Sequence, residues 1–188
     1  MLFSDEVYRE LEHDRRDRLA AACDVYEKGV SLGSISKSYG LPGLRIGWIA
    51  SREPAIREAV LDLKHYTTIC ASAPSEFLTA LALRHRDVLL AGNLEIVKTN
   101  LPLLEAFFGR HPERFAWVRP IASPIGFPRV EGLGDVEILC EQLAARGALL
   151  LPGTVYDEPA HVRVGFGRAN LPEALSIVES YLADGAYP

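Results

Sequence analysis

The stretch SLGSISKSYGLPGLRIGWIAS, residues 31–51, is the most informative part of this chain. It places one lysine, Lys37, and one arginine, Arg45, in a loop rich in glycine and serine between two apolar segments. Glycines let backbone N–H groups approach an anion closely, and serine hydroxyls and a guanidinium can donate to phosphate oxygens. A lysine that is partly desolvated in such a loop loses its proton more easily and can attack an aldehyde. The residues therefore favour a ligand with an aldehyde and a phosphate, and pyridoxal phosphate has both.

Two other phosphate-binding motifs are excluded by their spacing. The segment GSISKS contains the lysine but lacks the pattern G-x-x-x-x-G-K-[ST] of a Walker A loop. The pattern G-x-G-x-x-G is also missing, since Gly165-Phe166-Gly167 ends a predicted strand and has no third glycine. A nicotinamide cofactor therefore has no support in the sequence.

Composition and charge narrow the class of protein. The 188 residues are 48% hydrophobic and 24% charged, which is ordinary for a soluble globular protein. The net charge of −5 argues against nucleic acid or an anionic membrane as the main partner. No apolar run reaches the roughly 18 residues of a membrane span. The start of the chain, MLFSDEVYRE, has acids and no apolar core of a signal peptide, so we expect a cytoplasmic protein.

The three cysteines point away from metal and disulfide chemistry. Cys23, Cys70 and Cys140 lie far apart and form no C-x-x-C pair. Neither a zinc site nor a disulfide framework is predicted from that spacing, and we expect no metal. Small buried thiols in a reducing compartment are the simpler interpretation.

The first part of the chain is expected to alternate strands and helices. Residues 1–3 are expected to end a short strand, and Val25, Val30 and Leu32 to belong to a second. The segment GLRIGWIAS, residues 43–51, predicts a third strand because its apolar side chains fall on alternate positions. Apolar residues then recur at helical spacing, which predicts an amphipathic helix with Pro54 in its first turn.

The second part is expected to be a smaller α/β unit. Residues 75–109 predict two helices, with Pro102 kinking or interrupting the longer one. Further strands are expected near 115–119, 126–130 and 161–167, and further helices over 135–146 and 170–183. Gly147 is expected to end the first of these helices, and Asn170 with Glu173 predicts a capping box at the start of the last.

Residues 34–48, SISKSYGLPGLRIGW, closely resemble the lysine signature of class I/II aminotransferases of fold type I. That signature, S-x-S-K-x-x-G-x-x-G-x-R-x-G-[WY], fixes many positions and is far more specific than a short motif. The resemblance implies that Lys37 is the catalytic lysine, which holds pyridoxal 5'-phosphate as a Schiff base. It also implies that Ser34 and Arg45 contact the cofactor phosphate.

Three further segments resemble the same family in the same order. SDEVY resembles its D-E-x-Y segment, which implies that Asp5 pairs with the pyridine nitrogen and Tyr8 with the ring oxygen. A carboxylate there keeps the nitrogen protonated, and a phenol tunes the pKa of the cofactor. LPGTVY resembles the V-P-G-[ST]-x-F turn. HVRVG resembles the strand whose arginine binds the substrate carboxylate, which implies that role for Arg163.

The resemblance covers the whole chain but corresponds to the C-terminal half of an aminotransferase. The family's glycine-rich loop, stacked aromatic ring and asparagine have no counterpart before Asp5. We therefore expect an α/β fold in which residues 1–85 are the C-terminal part of the cofactor-binding large domain. Residues 86–188 would form a long linking helix and the small C-terminal domain. Missing strands would leave exposed edges on the large-domain sheet.

The implied activity is transfer of an amino group between an amino acid and a 2-keto acid, in a homodimer. Two alternatives stay open. The segment LKHYTTICASAPSE is similar to enzymes that act on arginine-like amino acids in antibiotic pathways, by oxidation or cyclisation. The isolated chain could also be a non-catalytic fragment.

Structural roles stay open for some of these residues. Asp5 could be a turn residue, and Tyr8 could be a ring of the core. Arg168 is an alternative to Arg163 as the carboxylate-binding group.

Overall fold

The computed structural model describes residues 1–185. The chain divides into two compact units, Met1–Leu94 and Glu95–Pro188. The assignment of residues 1–85 and 86–188 to a large and a small domain stays a prediction.

Both units combine helices with short strands. The strands are β1 (Leu2–Asp5), β2 (Gly29–Ser34), β3 (Gly47–Ser51), β4 (Phe115–Ala116), β5 (Ile125–Gly126), β6 (Arg129–Val130), β7 (Leu151–Pro152) and β8 (Val162–Gly165). The helices are α1 (Ala22–Val25), α2 (Pro54–Thr67), α3 (Ala73–Arg84), α4 (Arg86–Arg110), α5 (Val136–Ala145) and α6 (Leu171–Ala183). The mixed α/β class predicted from the sequence is confirmed.

The sheet of the first unit has the order β1-β2-β3. β1 pairs with β2 in parallel, with Asp5 opposite Leu32, and β2 pairs with β3 in antiparallel fashion, with Ser34 opposite Gly47. The carboxyl ends of β1 and β2 and the start of β3 therefore lie side by side, at the edge of the sheet formed by the strand ends.

Apolar side chains remain exposed on this first unit. β1 and β3 are both outer strands of the sheet, and each carries exposed apolar residues, among them Phe3 and Ile49. Leu63 on α2 and Phe77 on α3 are also exposed. The predicted exposed sheet edges agree with this arrangement.

Two strand predictions in this unit were wrong in their bounds. Val25 lies at the end of α1, and the second strand begins only at Gly29. The third strand begins at Gly47 instead of Gly43, because Pro42–Leu44 forms a 3-10 turn and Arg45 adopts a left-handed backbone with φ of 57°. Alternating apolar residues can occupy such a turn as well as a strand.

The second unit has an apolar core between its helices and small sheets. β8 pairs with both β5 and β7, and β4 pairs with β6. The core side chains come mainly from α4, α5, α6 and β8, together with Phe166 directly after β8. They include Val97, Leu101, Leu104, Phe107, Phe108, Leu139, Leu143, Val162, Val164 and Tyr181. Full burial of each large apolar side chain contributes about 1.5–3 kcal/mol, so this core stabilises the unit.

Several details of the second unit differ from the sequence prediction. α4 continues through Pro102, although proline removes one helical hydrogen bond. The predicted strands near 115–119, 126–130 and 161–167 are shorter, and the second is split in two. Asn170 makes no side-chain capping bond, because its φ of −86° and ψ of 18° are not the extended conformation that capping requires. Gly147 follows α5 with φ of 97°, as predicted for a helix end.

Within residues 1–185, no helix combines the length and the apolar character needed to cross a membrane.

Candidate cofactor site

The predicted cofactor residues of the first unit gather at one edge of its sheet. Asp5 is the last residue of β1 and Ser34 is the last residue of β2. Lys37 follows three residues after the end of β2, and Arg45 precedes β3 by two residues. In open α/β sheets, ligands bind outside the carboxyl ends of parallel strands, so this edge is the expected place for a ligand.

The structure brings Lys37 and Tyr8 together. The Lys37 Nζ lies 5.8 Å from the centroid of the Tyr8 ring, within the range of a cation–π contact. Lys37 is exposed and Tyr8 is half-buried, so the amine is open to an incoming molecule while the ring is held in place.

The segment that carries Asp5 and Tyr8 is held by its neighbour Glu6. Glu6 Oε1 accepts hydrogen bonds from the Ser31 hydroxyl at 2.7 Å and from the backbone N–H of Ala22 at 2.8 Å. Asp5 is exposed, and its Oδ1 accepts from the N–H of Val7 at 3.1 Å. The Asp5 carboxylate is thereby oriented at the strand end by its own turn.

Ser34 and Arg45 lie on the two arms of the glycine-rich loop. Ser34 Oγ accepts the N–H of Ser36 at 3.0 Å and lies 3.4 Å from the carbonyl oxygen of Ile46. The exposed Arg45 guanidinium donates to the carbonyl of Pro42 at 3.0 Å. The loop therefore brings Ser34 close to the residue after Arg45, while the guanidinium itself binds its own loop.

The sequence suggested that Tyr39 shapes the loop, but it did not reveal the role of Ser38 or the partners through which both residues join the Lys37 turn to the Tyr8 segment. The buried Ser38 hydroxyl donates toward the carbonyl oxygens of Arg9 at 2.6 Å and Val7 at 3.0 Å. The Tyr39 hydroxyl donates to Glu10 Oε2 at 3.0 Å. Burial, and then the Glu10 carboxylate, raise the pKa of Tyr39 to about 12. The only sequence signal was polar side chains directly after the lysine, which does not reveal their partners.

Arg163 belongs to the second unit and lies on β8. Its Nη1 donates to the Tyr156 hydroxyl at 3.2 Å. Arg163 and Tyr156 line a shallow depression together with Ile125 and Phe127. Phe127 meets the Tyr156 ring edge-on, with the ring centroids 5.7 Å apart. The guanidinium is therefore oriented by a phenol and bordered by apolar side chains.

Metal-binding groups are not clustered in the described part of the chain. Residues 1–185 contain no group of three or more His, Cys, Asp or Glu side chains placed to hold an ion. Cys23, Cys70 and Cys140 are all free thiols.

The whole set of motifs agrees with one family. A family model described as aminotransferase class I and II matches residues 1–177. The chain belongs to this family. It is 31% identical to the capreomycidine synthase of Streptomyces vinaceus, over 99% of this chain and 48% of that protein. It is 27% identical to the L-aspartate:5-guanidino-3-methyl-2-oxopentanoate transaminase of Pseudomonas syringae pv. syringae, over 78% of this chain and 36% of that protein.

Solved aminotransferases share the fold. A PLP-dependent aminotransferase from Streptococcus suis 89-1591 superimposes with a TM-score of 0.89 and 31% identity, over 97% of this chain and 48% of that one. The chain thus spans about half the length of the relatives it matches, as the motif comparison predicts. The architecture is a partial fold-type-I aminotransferase fold.

Members of this family use pyridoxal 5'-phosphate, and the described residues fit that group. An accessible lysine amine stands beside a tyrosine ring, and a carboxylate lies at the adjacent strand end. A serine hydroxyl and a guanidinium on the glycine-rich loop are the donor types that bind phosphate.

Proposed function

We propose that this chain is the lysine-bearing portion of a pyridoxal-phosphate-dependent aminotransferase, which moves an amino group between an amino acid and a 2-keto acid. The observation that carries the proposal is the placement of Lys37 Nζ 5.8 Å from the Tyr8 ring, at the carboxyl ends of two parallel strands. Family membership supports the reaction class. The chain spans about half the length of these relatives.

Each predicted residue takes one role in this proposal. When bound, pyridoxal phosphate supplies an electron sink for the bond electrons of the substrate α-carbon. Lys37 Nζ would hold the cofactor covalently. Once the substrate amine has freed it, the same nitrogen would move the proton from the substrate α-carbon to the cofactor, as general base and then as general acid. Asp5 would keep the pyridine nitrogen protonated, and the Tyr8 phenol would donate to the ring oxygen. Ser34 and Arg45 bind the phosphate.

Arg163 binds the substrate carboxylate in this proposal. Guanidinium and carboxylate groups form two parallel hydrogen bonds, which fix the orientation as well as the position of the substrate. The bond from Arg163 to the Tyr156 hydroxyl supports this role, because it leaves the guanidinium with fewer orientations.

The proposal is tested by cofactor binding and amino transfer with the 188-residue chain. Addition of pyridoxal phosphate should give an absorbance band of the lysine-bound cofactor, and glutamate with a second keto acid should give amino transfer. Lys37→Ala should lose both, because it removes the amine that lies 5.8 Å from the centroid of the Tyr8 ring. Lys64→Ala is the matched control, since Lys64 lies on α2 and donates to Thr68, the residue after the end of that helix, at 3.1 Å. A wild-type chain without band and without transfer would instead support the non-catalytic fragment.

A second candidate is an enzyme of the same fold that acts on arginine-like amino acids. One relative is named for a guanidino keto acid, and the synthase named above matches 99% of this chain. With arginine as substrate, consumption of a keto acid in stoichiometric amounts would identify a transaminase. Product formation from arginine without keto acid would identify a cyclase, and oxygen consumption would identify an oxidase.

We also propose a cytoplasmic homodimer. Three free thiols agree with a reducing compartment, and fold-type-I enzymes of this kind build their sites at a dimer interface. Light scattering of the purified chain gives the mass in solution, and twice 20.7 kDa is expected. Fractionation of the host cell checks the compartment.

A further inference from the structure

We propose that Ser38 is a positioning residue, whose hydroxyl holds the Lys37 turn against the Tyr8 segment. This inference rests on the proposed function, because it assigns Ser38 to the placement of the two groups that would meet the cofactor. It concerns the cofactor-free chain as well, and can therefore be tested without any ligand.

The contacts of Ser38 connect two parts of the sequence that are far apart. Its hydroxyl lies 2.6 Å from the carbonyl oxygen of Arg9 and 3.0 Å from that of Val7, the two neighbours of Tyr8. Only 2% of Ser38 is exposed, so water cannot replace the hydroxyl there. Ser38 thus binds the backbone on both sides of Tyr8 while it is itself bonded directly to Lys37.

Two further bonds hold Ser38 in this place. Asn93 Nδ2 donates to the Ser38 carbonyl at 2.8 Å, and the Tyr39 hydroxyl donates to Glu10 Oε2 at 3.0 Å. Asn93 anchors the turn to α4. Tyr39 makes a second link between the two segments, because it follows Ser38 and binds Glu10, the residue after Arg9. The turn is therefore fixed by side chains, whereas Lys37 itself remains exposed.

The consequence for the site is a fixed separation between the amine and the phenol. The lysine side chain has four flexible methylene groups, so the position of its nitrogen depends on how firmly its backbone is held. A phenol that donates to the cofactor ring oxygen withdraws electron density and lowers the pKa of the nitrogen that joins Lys37 to the cofactor. If Ser38 positions Tyr8, loss of the Ser38 hydroxyl raises that pKa through Tyr8.

The first measurement uses amide hydrogen exchange of the cofactor-free chain. Four backbone amides report on the two segments: Arg9 and Leu11 on one side, Gly40 and Leu41 on the other. Ser38→Ala should accelerate their exchange about fivefold or more, since a buried hydroxyl bridge is lost. Ser51→Ala is the matched control, because the Ser51 hydroxyl donates to the Gly29 carbonyl at 2.8 Å and joins β3 to β2 instead.

Equal exchange at these four amides in both variants would overturn the proposal. If Ser38→Ala unfolds the first unit as a whole, Ser38→Cys replaces it, and the exchange of the same four amides is again compared with that in Ser51→Ala. A thiol keeps a small side chain at this position but donates only weakly, so these amides should accelerate before those of the sheet.

The second measurement follows the absorbance of bound pyridoxal phosphate against pH. Ser38→Ala should raise the pKa of the cofactor-linked nitrogen in the same direction as Tyr8→Phe. In the double variant the two shifts should not add, because both act through one phenol. Additive shifts would contradict the assignment. If the wild-type chain binds no cofactor, the proposed function fails, while the exchange measurement still decides the role of Ser38.

Discussion

The Tyr39 hydroxyl donates a 3.0 Å hydrogen bond to the Glu10 carboxylate, and both side chains are largely buried. Burial, followed by the carboxylate, raises the pKa of Tyr39 to about 12. The unfolded phenol ionises near pH 10. The contribution of Tyr39 to stability is therefore complete below pH 10 and is lost as the pH rises through about 12.

Tyr39→Phe should lower the free energy of unfolding by about 1–2 kcal/mol at neutral pH, because Glu10 Oε2 loses the phenol donor while Arg18 continues to bind Glu10 Oε1. The variant should also lose less stability than the wild type between neutral pH and about pH 11. Urea unfolding at both pH values measures the two effects. Tyr66 is 88% exposed, so Tyr66→Phe should match the wild type both in its free energy of unfolding at neutral pH and in its loss of stability at alkaline pH. An equal alkaline loss in Tyr39→Phe and wild type would contradict the assignment.

Gly40→Ala should destabilise the first unit by about 1–2 kcal/mol. Gly40 has φ of 69°, and an added Cβ would lie 3.1 Å from Asn93 Nδ2. Gly92→Ala is the control within α4, where an added Cβ meets nothing within 4 Å. That change should stabilise by about 0.5–1 kcal/mol, because alanine is the better helix former. Thermal or urea unfolding compares the two variants. A change in the free energy of unfolding with the same sign in both would refute the role given to the left-handed backbone of Gly40.

Glu179→Gln should remove part of the acid sensitivity of the second unit. Burial raises the pKa of Glu179, but hydrogen bonds from Arg110 and His111 outweigh it and lower the pKa below the ordinary value. This stabilisation is present above the unfolded pKa near 4.3 and is lost as the pH falls through the lowered folded pKa. The pair is partly exposed, so the effect should stay below about 1 kcal/mol. Unfolding at about pH 7 and pH 3 measures it, with the exposed Glu141→Gln as control.

Arg163→Lys should raise the KM for the amino acid about tenfold or more while the cofactor absorbance stays unchanged, because lysine cannot form the two-bond contact with a carboxylate. Arg129→Lys provides a matched substitution on β6, where Arg129 pairs with Glu131 at 3.1 Å. Steady-state kinetics with varied amino acid give the comparison. If both variants behave like the wild type, Arg168 becomes the better candidate for the group that binds the substrate carboxylate.

The sequence predicted the family and the main elements because the lysine signature fixes many positions between two strands. It could not predict that Arg45 adopts a left-handed backbone and donates to Pro42, because that depends on how the loop closes on itself. Nor could it predict that Ser38 and Tyr39 bind the segment from Val7 to Glu10, since about 30 residues separate these partners. Asn170 shows the converse case, a local capping pattern that the backbone does not realise.

One particular lysine nitrogen, that of Lys37, is expected to react with the cofactor aldehyde. Incubation of the chain with pyridoxal phosphate, reduction with borohydride and mass spectrometry of the peptides would locate the attached group. The chain has four lysines, at positions 28, 37, 64 and 98. We expect the label on Lys37 alone, and its loss in Lys37→Ala. Label spread over the other three lysines, or attached to none, would contradict the account.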